Sequence, residues 1–260
     1  MIFEKEAFSP LTENLSLIHQ IAESFAPEDE NLKEWFKFFS QNHCERIAFD
    51  LELVNKYATK KDKILEFGSF PLLLTIALKK CGNNIIGLDI DPCRLTAVIK
   101  KHSLEVIQCN FEIDNVPFRD DEFKVIIFNE IFEHLRINPV FTLKEVYRVL
   151  EPGGVLLFST PNLRSLKGIW NYVFNNIANS CSMDIYSEYQ KLETIGHVGH
   201  VREYTSREIH DFLLKIGFCP TKIIWRGKYY GISKVIVYFF PFLRPFFSII
   251  AVKPKFNSNE

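Results

Sequence analysis

The stretch 63–91 constrains the fold of this chain more than any other. It begins with a short apolar run, 64–67, that ends at Gly68, as a buried parallel strand would. A proline suited to the first turn of a helix follows, and apolar residues continue over 72–78. A second apolar run, 85–88, ends in acidic residues. The sequence therefore predicts a strand–turn–helix–strand unit with a glycine in its first turn.

The spacing of glycine and carboxylate in this unit points to a nucleotide-like ligand. Asp89 stands 21 positions after Gly68, and about 20 residues separate a nucleotide-binding turn from its ribose-binding carboxylate. A carboxylate at a strand end can accept hydrogen bonds from two ribose hydroxyls. The glycine turn allows the backbone to approach the ligand. We therefore expect a ribose-containing ligand at the ends of these two strands.

The rest of the chain continues the alternation of strands and helices. Helices are expected at 93–102, 139–150 and 205–215, and further strands at 104–107, 123–129, 155–159, 218–226 and 247–252. This pattern predicts an α/β fold with a Rossmann-like, seven-stranded, mostly parallel sheet and helices on both faces. Ligands of such sheets bind at the carboxyl ends of the strands. The polar residues found there are Glu66, Asp89, Asn110, Asn129 and Glu130.

Two regions stand apart from this alternation. Residues 1–60 are predicted to form an N-terminal helical extension, because apolar residues recur at helical spacing from 28 to 57. Residues 61–260 would form the α/β domain, with an insertion at 162–204 that is rich in Asn, Ser and Tyr. Such an insertion after a strand suits a cover for the site. The extension is either a structural brace or a lid over the substrate.

Composition excludes several classes of protein. Lys and Arg total 31 against 32 for Asp and Glu, and the net charge of −1 argues against general nucleic-acid binding. The six cysteines are scattered without a C-x-x-C pair, which argues against a zinc site or a disulfide framework. The first eight residues lack the apolar core of a signal peptide. A cytoplasmic protein is therefore expected, and its oligomeric state stays open.

The apolar stretch 231–252 raises the question of a membrane. It is long enough to span a bilayer, but two prolines and two cations interrupt it, among them Lys234 and Pro241. We expect a helix, a proline-bounded turn and a last strand instead of a spanning helix. Docking of this stretch on a membrane surface stays open.

Six segments, taken together, resemble the class I S-adenosylmethionine-dependent methyltransferases. The most distinctive is 123–135, which contains Asn-Glu-Ile-Phe-Glu-His-Leu, and 148–162 is nearly as specific. The others are 64–68, 87–91, 110–118 and 200–205. All occur in the order and spacing of the family, and the resemblance covers about residues 60–220. Within the family, the chain is similar to bacterial methyltransferases that act on small molecules, sugars or lipids.

The resemblance implies an enzyme with S-adenosyl-L-methionine as cofactor. Glu66 and Gly68 would face its methionine part, Asp89 would hold the ribose, and Asn129 would cap the pocket. The whole implied cofactor-binding set is Glu66, Gly68, Ser69, Asp89, Ile90, Asn110, Phe111 and Asn129. The acceptor would be a hydroxyl or an amine of a small molecule, a sugar or a lipid-linked compound. Nucleic acid is not the expected acceptor.

Methyl transfer also needs alignment of the acceptor and, for many acceptors, a base. A histidine titrates near neutral pH and suits that role. The candidates are His134, His197 and His200. The alternative is that His134 binds local backbone and that the other two order the insertion.

Two further interpretations stay open. The spacing of Glu130, Glu133 and His134 puts them on one side of a helical turn, where they could bind a metal with His197 or His200. This stretch is similar to that of metal-dependent RNA 2′-O-methyltransferases, but many metal-free relatives carry it, so no metal is expected.

The second interpretation is a non-catalytic scaffold. Phe70 and Leu72 stand where the family usually has glycines, and their side chains would obstruct the cofactor.

Overall fold

The computed structural model describes residues 2–4, 10–25, 27, 29–182, 184–194 and 198–255. Its centre is one sheet in the order β1-β7-β8-β6-β5-β2-β3-β4. The strands are β1 (Ile2–Glu4), β2 (Lys63–Phe67), β3 (Asn84–Asp89), β4 (Val106–Gln108), β5 (Phe123–Asn129), β6 (Leu150–Pro161), β7 (Cys219–Arg226) and β8 (Phe246–Val252).

The predicted seven-stranded, mostly parallel sheet is confirmed in β2 to β8. Only β8 runs antiparallel to its neighbours, β6 and β7, and the other pairs are parallel. An eighth strand, β1, pairs in parallel with β7 at the edge of the sheet. Three residues are too few to show a strand period, so the sequence did not indicate β1.

Nine α-helices surround the sheet within the described residues. They are α1 (Thr12–Ser24), α2 (Glu30–Tyr57), α3 (Leu73–Lys80), α4 (Thr96–Lys101), α5 (Pro139–Val149), α6 (Leu166–Trp170), α7 (Ile185–Thr194), α8 (Ser206–Ile216) and α9 (Ile232–Phe239). The start of α8 shows how local chemistry sets a boundary. The Thr205 hydroxyl accepts a hydrogen bond from the backbone N–H of Glu208, and the Glu208 carboxylate accepts one from the backbone N–H of Thr205. The helix ends at Gly217, whose φ is 120°.

The helices cover both faces of the sheet because successive strand residues point to opposite faces. Ile64 belongs to a core shared with α1, α2 and α3. The next residue, Leu65, belongs to a second core shared with α5 and α8. Both leucine and isoleucine are fully buried, so this strand is apolar on both sides.

The N-terminal helices are part of the first core. Ile18 and Ile21 of α1 and Leu51 of α2 are fully buried there. A buried ion pair adds to this contact: the guanidinium of Arg226 on β7 lies 2.8 Å from the carboxylate of Asp50 on α2. The division of the chain into an extension, 1–60, and a domain, 61–260, stays a prediction.

The apolar stretch 231–252 folds as the sequence predicts. It forms α9, a short helical turn at Pro241–Leu243 and β8. Because β8 is hydrogen-bonded to a strand on each side, this part of the stretch belongs to the sheet. Within the described part of the chain, no helix combines the length and the apolar character needed to cross a bilayer.

Candidate active site

A cavity of about 510 Å³ opens at the carboxyl ends of β2, β3, β4 and β5. Six of the predicted cofactor residues line it, together with the candidate bases His134 and His200. The six are Gly68, Asp89, Ile90, Asn110, Phe111 and Asn129. Glu66 and Ser69 do not contribute to the lining, and His197 lies outside the described residues.

Gly68 occupies a position that only glycine suits. Its φ is +59°, and a Cβ built there would collide with Cδ1 of Ile131. The next residue, Ser69, turns its hydroxyl toward Gly87 on β3, where the buried Oγ has no hydrogen-bond partner among the residues that the structure describes. The turn therefore presents backbone to the cavity at Gly68.

The carboxylate of Asp89 is held in one orientation at the cavity wall. One oxygen accepts from the backbone N–H of Phe70 at 3.1 Å. The other accepts from the backbone N–H of Asp91 at 2.9 Å and from the guanidinium of Arg94 at 3.2 Å. A ribose diol that binds to Asp89 would share the carboxylate with these donors.

The two bulky residues of the turn differ in where they point. Phe70 lines the cavity, and its ring packs between the ring of Trp35, 4.9 Å away, and the guanidinium of Arg94, 4.2 Å from its centroid. Leu72 is 2% exposed and belongs to the core beneath α3. Of the two residues that replace family glycines, only Phe70 narrows the cavity.

Glu66 lies behind the cavity wall. Its carboxyl accepts a hydrogen bond of 2.6 Å from the hydroxyl of Thr75 on α3. Burial raises the pKa of Glu66 to about 8, so the carboxyl is protonated at neutral pH unless a cation approaches it. Its predicted contact with the methionine part of the cofactor stays a prediction.

A histidine pair also lines the cavity. The Nδ1 atom of His134 lies 2.9 Å from the carbonyl oxygens of Val198 and Gly199, so this nitrogen carries the proton. The ring of His200 lies 5.0 Å from that of His134. The structure thus brings together two of the three predicted bases.

His200 has a buried carboxylate behind it. Its Nδ1 lies 3.2 Å from Oε1 of Glu203, which is 1% exposed. Glu203 is held in turn by hydrogen bonds from Ser180 and from the backbone N–H of Cys181. Burial lowers the pKa of His200, but the bond to Glu203 and the nearby Glu133 carboxyl outweigh it, and the pKa is raised. This pairing orients the imidazole and stabilises its protonated form.

Glu133 completes a cluster with the two histidines. Its side chain is fully buried, and one oxygen accepts from the hydroxyl of Thr160 at 2.9 Å. The other oxygen has no hydrogen-bond partner among the described residues. Burial first, and the Glu130 carboxylate second, raise the pKa of Glu133.

Three side chains could together bind a metal: Glu133, His134 and His200. Each offers one ligand atom, and these three atoms lie within 4.8 Å of one another. A carboxylate and two imidazoles are a donor set that divalent metals accept. Glu130, a predicted member of this set, instead pairs with Arg46 at 2.5 Å and with Ser159 at 2.8 Å. The residues present therefore fit a metal held by Glu133 and the two histidines.

The sequence predicted that the N-terminal helices either brace the fold or cover the substrate, and in the structure α2 supplies one wall of the cavity. Trp35, Phe38, Phe39, His43 and Arg46 recur at helical spacing and line one side of the cavity. Burial, with smaller contributions from Arg46 and His200, lowers the pKa of His43 to about 3, so this histidine is neutral. The spacing of these residues indicates that they share one face of a helix. The neighbouring sequence does not indicate which part of the fold that face packs against.

Glu203 was missed as a functional residue. The spacing of three between His200 and Glu203 is a signal that could have identified the pair.

Comparisons with known proteins agree with this picture. Residues 65–158 match the model of a family described as a methyltransferase domain. The chain is 26% identical over 118 residues to a ubiquinone biosynthesis O-methyltransferase of Hydrogenovibrio crunogenus, covering 43% of this chain and 48% of that protein. It is 24% identical to a malonyl-[acyl-carrier protein] O-methyltransferase of Erwinia billingiae, over 64% of each chain. The chain thus spans less than two thirds of the length of these relatives.

A solved structure shares the fold. A protein of Thermotoga maritima, described as a SAM-dependent methyltransferase and possible histamine N-methyltransferase, superposes with a TM-score of 0.55 at 17% identity. The match covers 92% of this chain and 99% of that one.

Proposed function

Because residues 65–158 form a methyltransferase domain of the class I S-adenosylmethionine-dependent family, we propose that this chain methylates a hydroxyl or an amine of a small molecule, a sugar or a lipid-linked acceptor. One observation carries the proposal: a single cavity is lined both by Asp89 and Asn110 and by His134 and His200. A methyl donor and an acceptor could therefore meet inside it.

The donor end is formed by the strand ends. S-adenosylmethionine, the cofactor of this family, supplies an activated methyl group on a sulfonium. Asp89 would accept hydrogen bonds from the ribose hydroxyls, and Ile90, 39% exposed, would lie against the adenine. Asn110, whose Oδ1 also accepts from the Glu112 backbone N–H at 3.3 Å, would face the adenine amino group.

The acceptor end contains the base. His200 would take the proton of the acceptor as the oxygen or nitrogen attacks the methyl carbon, and Glu203 would stabilise the imidazolium. The apolar rings of Trp35 and Phe39 on α2 would exclude water from the reacting atoms. Oxygen is favoured as the attacking atom, since both curated relatives named above are O-methyltransferases.

We expect Asp89→Ala to weaken binding of S-adenosylmethionine by at least about a hundredfold, because two hydrogen bonds to a charged acceptor contribute roughly 1.5–3 kcal/mol each. Calorimetric titration of the wild type and the variant with S-adenosylmethionine and S-adenosylhomocysteine measures this. Asp91→Ala is the matched control, since its carboxylate stands two residues further on and makes no capping bond.

Two outcomes would contradict the proposal. Equal affinity of wild type, Asp89→Ala and the isosteric Asp89→Asn would mean that the ribose binds elsewhere. Absence of binding to folded wild type would favour the scaffold interpretation, and a Phe70→Gly variant that regained binding would identify Phe70 as the obstruction.

A second candidate function is metal-assisted methyl transfer, including that to the 2′-hydroxyl of RNA. One oxygen of Glu133 has no hydrogen-bond partner in the described part of the chain and lies close to His134 and His200, which favours this candidate. A bound cation would stabilise the ionised form of this buried carboxyl and could position the acceptor oxygen. The net charge of −1 weighs against RNA, whose binding would be strongly salt-dependent.

If a metal binds, Mn²⁺ added to chelator-treated protein should raise the melting temperature. At about 100 times its Kd, a ligand adds about 2.7 kcal/mol to the free energy of unfolding. Glu133→Gln should abolish the shift. Cys181→Ser should leave it unchanged, since Cys181 belongs only to the other cluster, with His200 and Glu203. Equal melting of wild type with and without Mn²⁺, Mg²⁺ or Zn²⁺ would exclude this candidate.

A further inference from the structure

An exposed apolar surface begins on α6 and the wider helical turn that follows it, Asn171–Asn175. Its large side chains are turned to solvent: Trp170 is 58% exposed, Tyr172 68%, Val173 62% and Phe174 66%. Isolated apolar residues are normal on a protein surface, but four large exposed ones within the five residues 170–174 are not. The cavity does not include them.

The helix α9 exposes a second set of the same kind. Ile232 is 79% exposed, Val235 56%, Tyr238 68% and Phe239 68%, whereas Val237 is buried. The helix thus attaches to the fold through one side and presents isoleucine, valine and aromatic rings to solvent on the other.

Contacts place the chain segments that carry the two sets beside each other, and we call the two exposed sets together the aromatic face. The backbone N–H of Lys167 on α6 donates to the hydroxyl of Tyr229 just before α9, at 3.3 Å. The amide of Asn162 donates to the carbonyl of Phe242 just after α9, at 2.9 Å. The guanidinium of Arg164 lies 4.5 Å from the centroid of the Phe242 ring. Both ends of α9 are therefore anchored beside the start of α6.

The two chain segments that carry the aromatic face contain cations but no acidic residue. Neither 152–182 nor 212–255 contains an Asp or a Glu, although the whole chain is slightly acidic. Arg164, Lys167 and Lys234 are exposed within these segments. Apolar and aromatic side chains bordered by cations match the interface of an anionic bilayer, where rings enter the headgroup region and cations contact phosphates.

We propose that the aromatic face docks the protein on the surface of an anionic lipid bilayer. A second copy of the chain fits less well, since a two-fold contact would bring the cations of both copies together.

Sedimentation with vesicles tests the proposal. We expect wild-type protein to bind vesicles of phosphatidylcholine mixed with phosphatidylglycerol more tightly than vesicles of phosphatidylcholine alone, and salt to weaken the binding. The double variant Ile232→Ser, Tyr238→Ser should bind at least about tenfold more weakly, because the transfer of two apolar side chains is lost. Both residues are largely exposed, so the core is unaffected.

The matched control is Val140→Ser with Leu214→Ser, which removes two exposed apolar side chains from α5 and α8. It should bind as the wild type does. Vesicles with brominated acyl chains should quench the fluorescence of Trp170, and Trp170→Phe should lose most of the quenching. Of the other tryptophans, Trp225 is 5% exposed and Trp35 lines the cavity.

Three results would overturn the proposal. One is no sedimentation with either vesicle. Another is equal binding by the aromatic-face variant and the control variant. The third is a dimer of the wild type in light scattering that dissociates in the aromatic-face variant, which would make this face an interface between proteins.

Discussion

Replacing His200 with alanine is expected to slow methyl transfer by about 10²–10⁴-fold, the contribution of a positioned general base. The affinity for S-adenosylmethionine should change little, because His200 lies at the far end of the cavity from Asp89 in the proposed arrangement. The rate of S-adenosylhomocysteine formation in single turnover, with the first hydroxyl acceptor found to be methylated by the wild type, measures the loss. Calorimetry on the same variant measures the affinity.

The buried partner and a distant histidine provide the comparisons. Glu203→Gln should also lower kcat, by less than His200→Ala, because the amide keeps a hydrogen-bond acceptor but not the charge. His210→Ala on α8, whose side chain pairs with Asp211 away from the cavity, should leave the rate unchanged. Full activity of His200→Ala would show that the acceptor needs no base from this residue.

Arg226→Ala is expected to destabilise the fold by about 3–5 kcal/mol, the cost of leaving a buried charge without its partner. The guanidinium is 4% exposed and lies 2.8 Å from Asp50. It also donates to the Ser248 hydroxyl at 2.7 Å and to the Arg46 carbonyl at 3.0 Å. This one side chain links α2 to β7 and β8, so urea denaturation should show the loss directly.

The stability lost in Arg226→Ala should increase as the pH rises. Burial raises the pKa of Asp50, and Arg226 opposes that effect. Without Arg226 the folded-state pKa rises further above the unfolded value, so folding favours the protonated carboxyl and stability falls as pH increases. Denaturation at about pH 5 and about pH 8 measures the difference.

Two variants check this explanation. Asp50→Asn combined with Arg226→Ala should recover part of the stability and remove its extra pH dependence, since no uncompensated carboxylate remains. Arg207→Ala, at an arginine that is 91% exposed, should change stability little. Equal effects of Arg226→Ala and Arg207→Ala would show that the buried pair contributes nothing.

Features that depend on neighbouring residues were predictable from the sequence. Apolar runs marked the buried strands, and the glycine turn and the distance to Asp89 marked the ligand end of the sheet. Thr205 and Gly217 marked the ends of α8. The prolines and cations in 231–252 correctly argued against a spanning helix. In each case the signal lies within one continuous stretch of the chain, so the local sequence pattern contains it.

Contacts between distant residues were decided by the tertiary structure. The turn that holds Phe70 and Leu72 sends one ring to the cavity and one side chain to the core. The cluster of Glu133 and His200 joins residues 67 positions apart, and α2 supplies a wall to strands that follow it in the chain. Burial shifts the pKa values of Glu133 and His200, because it removes water from these side chains and surrounds them with groups from distant parts of the chain. A single sequence carries the identity of these side chains, whereas their distances and solvent exposure exist only once the chain has folded.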